Sequence, residues 1–237
     1  MPHYTDKKPQ GKRLRGVKLL SFIYWIENDL VLLVIVCTLG AKSKSQHIKG
    51  TPVENLSTIL TALTDEKVIA YPTEGVFGVG CDPDSSEAVK NLLAVKERAV
   101  EKGLILIAAS YEQLIPYIDE SQLSEEQIAN VKSTWPGPVT WIMPAGEKAT
   151  PWVTGQFDSI AVRVSDHPLV QMLCQAFGKP ITSTSANLSG LPPCMTAQEV
   201  EDQLGDRLGA IVYGETGGRD KPTEIRDART LAVIREG

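Results

Sequence analysis

The hydrophobic pattern beyond residue 50 alternates between a helical period and a strand period. Apolar residues recurring every three or four positions predict helices at 51–63, 84–96, 110–118, 124–134, 167–177 and 196–204. Shorter apolar runs predict strands at 67–71, 104–108, 139–143, 159–164, 180–184, 210–213, 223–227 and 231–235. The run Leu104–Ala108 is apolar throughout, as is typical of a strand buried on both faces. This order of elements predicts an α/β domain.

Capping residues mark the ends of several predicted helices. Thr51–Glu54 has the pattern of a capping box, which would begin the first helix. Ser124 and Thr196 are predicted N-caps because a side-chain oxygen there can accept from a free backbone N–H of the first turn. Gly178 is a predicted C-cap, since glycine adopts the left-handed conformation without strain.

The first fifty residues differ in composition from the rest of the chain. A basic stretch, Lys7–Lys18, precedes two apolar runs, Leu19–Ile26 and Leu30–Leu39, with Glu27 and Asp29 between them. A spanning helix needs about 20 apolar residues, and central acids cost about 2.5–3.5 kcal/mol each on insertion, so a membrane anchor is disfavoured. We expect residues 1–50 to be an extension that function does not require. An interaction segment and an anchor remain the alternatives.

Charge is divided unevenly between the extension and the body of the chain. Residues 1–50 hold nine Lys/Arg and three Asp/Glu, whereas residues 51–237 hold fifteen and twenty-six, so the body carries a net charge of −11. Sequence-independent binding to nucleic acid usually needs a basic surface, so any RNA contact by the body must come from a local patch. Residues 51–237 are long enough for one α/β domain.

Histidine and cysteine usage excludes several kinds of site. The body contains one histidine, His167, at the start of a predicted helix, where we expect a capping or surface role rather than catalysis. The four cysteines form no CxxC pair, so neither a zinc site nor a disulfide framework is indicated. A reducing, cytoplasmic setting fits this usage.

Two polar segments and a cationic pair are candidates for a phosphate-binding pocket. Tyr71–Gly80 follows an apolar strand with a hydroxyl, a carboxylate and three glycines, and Lys179–Gly190 is dense in hydroxyls. Hydroxyls, amides and backbone N–H groups are suitable donors to oxyanions, and Lys96 and Arg98 add charge. An ordinary loop is the alternative for each segment alone. A solvated helix end is the alternative for the cations.

Taken together in chain order, these segments resemble the YrdC/Sua5 group of L-threonylcarbamoyladenylate synthases, in its short bacterial single-domain form. The matching motifs are Tyr71–Glu74 with Phe77 and Gly78, Lys96 and Arg98 with Lys102–Leu104, Trp135–Thr140, Ser159–Arg163, Ser183–Gly190 and Pro222–Asp227. The resemblance runs from about Val53 to the last residue. It departs at Ala99, where the family often has proline, and at Gly75, where many relatives carry a larger residue.

The resemblance implies a fold and a reaction. The expected fold is a single-domain twisted mixed sheet with a concave cavity, formed by residues 51–237. The expected reaction converts L-threonine, bicarbonate and ATP into threonylcarbamoyl-AMP and pyrophosphate, for the t6A37 modification of tRNA. Mg²⁺ is expected with ATP, held by phosphate oxygens and water. Expected partners are other t6A-pathway proteins that transfer the threonylcarbamoyl group, with at most weak contact to tRNA or double-stranded RNA.

The resemblance also implies a role for particular residues. Lys96 and Arg98 are the expected catalytic cations. The expected threonine-binding residues are Thr73, Arg163, Ser183 and Thr223. The expected ATP-binding residues are Lys96, Arg98, Lys102, Thr140, Ser159, Ser185, Asn187 and Arg235. Thr140 is the weakest of these, because it could equally belong to a turn that enters a strand.

Arg163 is also singled out by the residues around it. It lies within the apolar strand Ile160–Val164, where an unpaired charge would be costly, so it needs an anionic partner. The resemblance gives it the carboxylate of threonine, which a guanidinium can bind with two parallel hydrogen bonds. A salt bridge to a nearby acid such as Asp166 is the alternative.

Two other functions remain open at this point. A binding module for RNA or ribosome maturation could use the same concave surface, although the acidic body disfavours it. A carbamoyl transferase with a different acceptor is the second alternative. No side chain of the motifs is an obvious nucleophile, which fits a reaction in which the threonine amine and then the carbamate oxygen attack.

Overall fold

The computed structural model describes residues 18–26, 29–37, 55–219 and 223–237. The chain forms two units, residues 1–44 and residues 45–237. In the smaller unit, strands β1 (Lys18–Ile26) and β2 (Asp29–Cys37) pair antiparallel, in a register running from Lys18 opposite Cys37 to Ile26 opposite Asp29. The predicted capping box Thr51–Glu54 lies outside the described residues.

The larger unit contains six α-helices and nine strands in its described part. The helices are α1 (Leu56–Thr64), α2 (Ser86–Lys96), α3 (Glu125–Ser133), α4 (Pro151–Thr154), α5 (Pro168–Phe177) and α6 (Ala197–Leu204). The strands are β3 (Ile69–Pro72), β4 (Phe77–Gly80), β5 (Ile105–Ala108), β6 (Val139–Pro144), β7 (Ser159–Val164), β8 (Ile181–Ser185), β9 (Ala210–Ile211), β10 (Glu224–Asp227) and β11 (Val233–Arg235). None of the helices described is long and apolar enough to cross a membrane.

The nine strands form one mixed sheet in the order β11-β10-β6-β7-β5-β8-β4-β3-β9. The pairs β5 with β7, β6 with β10 and β3 with β9 are parallel, and the other neighbours are antiparallel. The predicted mixed α/β sheet is therefore confirmed.

Helices cover both faces of this sheet, which explains the unbroken apolar run at 104–108. In β5, Leu106 and Ala108 pack with residues of α2, α3 and α6 in one core cluster. Ile107, which points to the opposite face, packs with residues of α1 and α5 in the second cluster. Because both faces are buried, alternation between apolar and polar residues is absent from this strand.

The predicted caps at Ser124, Thr196 and Gly178 are confirmed. Ser124 and Thr196 each form a complete capping box, in which the cap oxygen accepts from the N3 backbone and the N3 side chain accepts from the cap backbone. Gly178 ends α5 with φ of 79°, in the left-handed conformation. These local signals fix the helix ends because they satisfy backbone groups that the helix itself leaves without partners.

The predicted helix at 110–118 is wrong, and strand β4 was not predicted. Residues 110–118 form turns and a single 3₁₀ turn, Ile115–Tyr117, because Pro116 lacks an N–H and restricts the residue before it. The β4 sequence contains two glycines, which weaken the strand pattern. The sheet requires one of them, since a Cβ at Gly80 would lie 1.9 Å from the Thr182 carbonyl oxygen.

Asp84 connects the turn before α2 to three other parts of the larger unit. Its Oδ1 accepts from the Tyr117 hydroxyl at 2.7 Å, and its Oδ2 accepts from Lys148 and Lys179 at 2.8 Å each. Burial alone would raise the pKa of Asp84, but these hydrogen bonds outweigh it and hold that pKa below its usual value.

Asp84→Asn should therefore destabilise the fold in a pH-dependent way. Because the folded state lowers this pKa, the stabilisation is present above the ordinary carboxyl pKa and is lost as pH falls through the folded-state value. We expect a loss of about 1 kcal/mol in the free energy of unfolding at pH 7, since the group is partly exposed. Urea denaturation at pH 7 and pH 3 checks this.

The control is Asp206→Asn, which changes an exposed carboxylate. It should alter stability by less than about 0.5 kcal/mol at either pH. A difference between Asp84→Asn and the unsubstituted protein that is equally large at pH 3 would contradict the role assigned to the Asp84 charge.

Candidate functional site

A cavity of about 760 Å³ opens along the sheet in the larger unit. Strands β4, β5, β6, β7, β8, β10 and β11 all contribute to its wall, and so do the loops after β3 and α2. Its size is that of a small-molecule site.

Most of the predicted site residues line this one cavity. They are Thr73, Arg98, Lys102, Ser159, Arg163, Ser183, Ser185, Thr223 and Arg235. Strand geometry explains part of this convergence, because residues two apart point to the same face. Ser159, Ala161 and Arg163 of β7 therefore line the cavity together, as do Ser183 and Ser185 of β8.

The cavity is rich in cations. Arg98, Lys102, Arg163, Arg219 and Arg235 line it, and no aspartate or glutamate belongs to the part of the wall that the structure describes. Burial and the Arg163 charge together lower the pKa of Arg235. Such a wall favours a ligand with several negative charges.

Lys96 does not line the cavity but holds its wall from behind. Its Nζ donates to the Ser185 carbonyl oxygen at 2.6 Å, and to the carbonyl oxygen and Oδ1 of Asn187 at 2.5 and 2.7 Å. These three bonds use all three donors of an ammonium group. Burial and the neighbouring Arg98 charge lower the pKa of Lys96 to about 8. Lys96 is therefore a buried anchor rather than a solvated helix end.

Asn187 belongs to the same hydrogen-bonded group and also lies outside the cavity wall. Its Oδ1 accepts from the Ser185 hydroxyl at 2.7 Å. Its Nδ2 donates to the carbonyl oxygens of Leu188 and Leu191 at 3.0 and 2.8 Å. Every polar atom of the Asn187 side chain is therefore used to shape the loop that presents Ser185.

Arg98 is held by backbone oxygens while it lines the cavity. Its Nε and one terminal nitrogen donate to the Gly103 carbonyl oxygen at 3.3 and 2.9 Å. Burial lowers the pKa of this guanidinium. Gly103 has φ of 61° and lies close to the Thr154 carbonyl oxygen, so a side chain there would disturb the loop that positions Arg98.

Arg163 has an anionic partner, but that partner is Glu74 rather than Asp166. A terminal nitrogen of Arg163 lies 3.4 Å from Glu74 Oε2, and the two side chains are 6% and 4% exposed. Asp166 is exposed. Arg163 Nε is buried and has no hydrogen-bond partner among the described residues, although the side chain lines the cavity.

Thr140 and His167 are placed differently from expectation. Thr140 is fully buried in β6, away from the cavity wall, and its hydroxyl has no hydrogen-bond partner in the described part of the chain. His167 occupies the N-cap position of α5, but its side chain makes no cap and is buried. Its Nε2 lies 3.1 Å from the Glu215 carbonyl oxygen. The expected capping or surface role of the imidazole is wrong, because tertiary packing places it under the 213–219 loop.

Sequence reasoning missed Arg219, Phe157 and Met195, which all line the cavity. Phe157 and Met195 are 52% and 43% exposed, so they lie at its mouth. Arg219 follows two glycines and is brought to the cavity by backbone contacts. Gly217 N donates to the Thr73 carbonyl oxygen at 2.9 Å, and Arg219 N donates to that of Glu74 at 3.1 Å. No periodic pattern marks such a loop.

Comparison with known proteins gives close relatives of this chain. The Vibrio parahaemolyticus threonylcarbamoyl-AMP synthase is 70% identical over 185 residues, which is 78% of this chain and all of that relative. The Photobacterium profundum threonylcarbamoyl-AMP synthase is 65% identical, with the same coverage of both chains.

Solved structures share the fold. The P. abyssi Sua5 structure in complex with L-threonine matches with a TM-score of 0.69 and 30% identity, over 73% of this chain and 51% of that one. The E. coli YciO structure matches with a TM-score of 0.69 and 23% identity, over 78% of this chain and 89% of that one, which supports the fold.

A family model for Sua5, YciO and YrdC, described as telomere recombination, matches residues 61–237. Within the described part of the chain, this range contains every residue that lines the cavity. The chain therefore belongs to the Sua5/YciO/YrdC family.

Proposed function

We propose that this chain is a threonylcarbamoyl-AMP synthase, which joins L-threonine, bicarbonate and ATP and releases pyrophosphate. The observation that carries the proposal is the cavity, in which five cations and several hydroxyls face one space without a carboxylate in its described wall. The names of the close relatives support it. An RNA-binding module would need a basic surface, whereas the body carries a net charge of −11.

Arg163 is proposed to bind the carboxylate of threonine. It lines the cavity, and a guanidinium matches the planar geometry of a carboxylate. Thr73, Ser183 and Thr223 line the same cavity and are proposed to complete the amino-acid site with hydrogen bonds. The binding of L-threonine by the related P. abyssi Sua5 supports this assignment.

The other cations are proposed to bind the triphosphate. Arg98, Lys102, Arg219 and Arg235 line the cavity, with Ser159 and Ser185 as neutral donors. Negative charge develops on the leaving pyrophosphate, and fixed cations stabilise that charge in the transition state. Lys96 and Asn187 act from behind the wall by holding Ser185. Thr140 is given no direct contact with ATP, because it is buried away from the cavity.

The proposed reaction has two bond-forming steps. The threonine amine attacks the carbon of CO₂ derived from bicarbonate, loses a proton to solvent and forms a carbamate. A carbamate oxygen then attacks the α-phosphorus of ATP, and the bond from that phosphorus to the oxygen that joins it to the β-phosphate breaks, so that pyrophosphate leaves with that oxygen. The substrates supply both nucleophiles, so the side chains contribute orientation and electrostatic stabilisation.

Mg²⁺ is proposed to enter with ATP as part of the substrate. The described wall of the cavity offers hydroxyls and cations, and no cluster of three or more His, Cys, Asp or Glu side chains occurs in the described residues. This donor set suits an ion that is held by phosphate oxygens and water rather than by the protein.

The product is proposed to pass to other proteins of the t6A pathway for transfer to adenosine 37 of tRNA. Phe157 and Met195 line the cavity and are exposed, so the cavity reaches the protein surface at these residues. Contact with tRNA or double-stranded RNA is proposed to be weak, because the net charge of the body opposes it.

Pyrophosphate formation should require ATP, L-threonine and bicarbonate together, because the carbamate is the nucleophile. A coupled phosphate assay on the purified protein, with each substrate omitted in turn, measures this. Serine lacks one methyl group and should lower kcat/KM by about 10-fold or more. Equal turnover of ATP without threonine would contradict the amino-acid site.

Lys96→Met and Asn187→Ala should each lower kcat/KM for ATP, by about 10- to 100-fold, because either change releases the loop that holds Ser185. The two residues form one hydrogen-bonded unit, so the double variant should be no worse than the poorer single variant. Threonine affinity, measured by calorimetry, should change by less than about twofold. Independent, multiplicative effects of the two substitutions would contradict a shared role.

A chain that begins at residue 51 should keep full synthase activity. Every described residue that lines the cavity lies beyond this point, and residues 1–44 form a separate unit. Activity per mole of the shortened and full-length chains, purified in parallel, gives the comparison. A large loss of kcat on shortening would place part of the functional domain before residue 51.

A further inference from the structure

Glu74 lies behind the cavity wall, between two residues that line it. Thr73 and Gly75 contribute to the wall, whereas Glu74 is 3% exposed and does not. Its carboxylate is nevertheless close to a cavity cation, since Oε2 lies 3.4 Å from a terminal nitrogen of Arg163. The Glu74 carboxylate can therefore act on a ligand through Arg163.

The Glu74 carboxylate has a fixed position. Its Oε1 accepts from the Ser165 hydroxyl at 2.6 Å, and Ser165 is fully buried. The Ser165 backbone is in turn fastened on two sides, since its N–H donates to the Ala108 carbonyl oxygen of β5 and its own carbonyl oxygen accepts from Gln171 of α5. The carboxylate is thus tied to the sheet and to a helix rather than to a mobile loop.

Glu74 compensates the charge of Arg163 without a short hydrogen bond to the guanidinium. At 3.4 Å it is longer than the 2.7–2.9 Å of a charge-assisted hydrogen bond, and neither Glu74 Oε2 nor Arg163 Nε has a hydrogen-bond partner in the described part of the chain. Without Glu74, Arg163 would be a buried charge in a wall that also contains Arg235. Repulsion and solvation would then draw its side chain out of place.

We propose that Glu74, held by Ser165, is a positioning residue that keeps the Arg163 guanidinium in place for the carboxylate of the amino-acid substrate. This inference rests on the proposed function, in which Arg163 binds that carboxylate. It assigns Glu74 to amino-acid recognition, although its side chain touches no substrate.

The test is a double-mutant cycle on the affinity for L-threonine. Glu74→Gln keeps the shape and still accepts from Ser165, but it removes the charge that faces Arg163. Its KM for threonine should rise about 10-fold, with KM for ATP and kcat within about twofold of wild type. Arg163→Met should raise the threonine KM further. The double variant Glu74→Gln/Arg163→Met leaves no unpaired charge. Its threonine KM should therefore equal that of Arg163→Met alone.

Ser165→Ala provides an independent variant with a smaller perturbation. It removes the hydrogen bond that holds the carboxylate but keeps both charges, so the threonine KM should rise by about two- to fivefold with the ATP KM unchanged. If Glu74→Gln does not fold, this variant and its combination with Arg163→Met complete the cycle.

Two results would overturn the proposal. The first is a reduction in kcat or folded fraction with an unchanged threonine KM, which a purely structural Glu74 would give. The second is an effect of Glu74→Gln that persists in the Arg163→Met background. Wild-type pyrophosphate formation tests the proposed function separately. If wild type forms none, calorimetric titration with L-threonine over the same variants still decides whether Glu74 acts through Arg163.

Discussion

The cavity depends on holding several positive charges close together without a carboxylate in its described wall. Arg98, Lys102, Arg163, Arg219 and Arg235 share one space, and their mutual repulsion must be offset from outside it. Glu74 offsets Arg163 from behind the sheet. Arg98 is held by the Gly103 carbonyl oxygen, a dipole rather than a charge. Because no carboxylate of the described wall neutralises them, the cations can face a ligand that brings its own negative charge. Phosphoryl transfer requires cations that are preorganised in this way.

The mixed sheet makes this arrangement possible. Strand β8 lies between β5 and β4 and runs antiparallel to both, so the loop that follows it reaches the end of α2. There Lys96 binds the Ser185–Asn187 segment through three short hydrogen bonds. The bonds are made inside the protein, where they are stronger than in water and where breaking one would leave an unsatisfied group. The Ser185–Asn187 segment is therefore fixed to the end of α2 by hydrogen bonds.

Local signals in the sequence were sufficient for most of the fold but only for part of the site. Helix caps such as Ser124 and apolar strands such as Leu104–Ala108 depend on neighbours along the chain. The local sequence pattern is therefore sufficient to predict them. Strand β4 was hidden because it contains glycines, one of which, Gly80, is required by its contact with Thr182 of β8, more than one hundred residues away. Glu74 was visible as a motif residue, yet its pairing with Arg163 joins β7 to the loop after β3 and has no local signature.

The same distinction explains why the sequence does not show on which side of the cavity wall Lys96 and Thr140 lie. A sequence motif shows that a residue type is needed at a position. It does not show whether that side chain contacts the ligand or supports the residues that contact the ligand. Lys96 donates to two carbonyl oxygens and an amide oxygen of the Ser185–Asn187 segment, and loss of these bonds would leave the two carbonyl oxygens without this partner. Its positive charge, next to Arg98, still adds to the field in the cavity. The Lys96 charge can thus contribute to the electrostatic potential in the cavity, although all three of its hydrogen-bond donors are used by the Ser185–Asn187 segment.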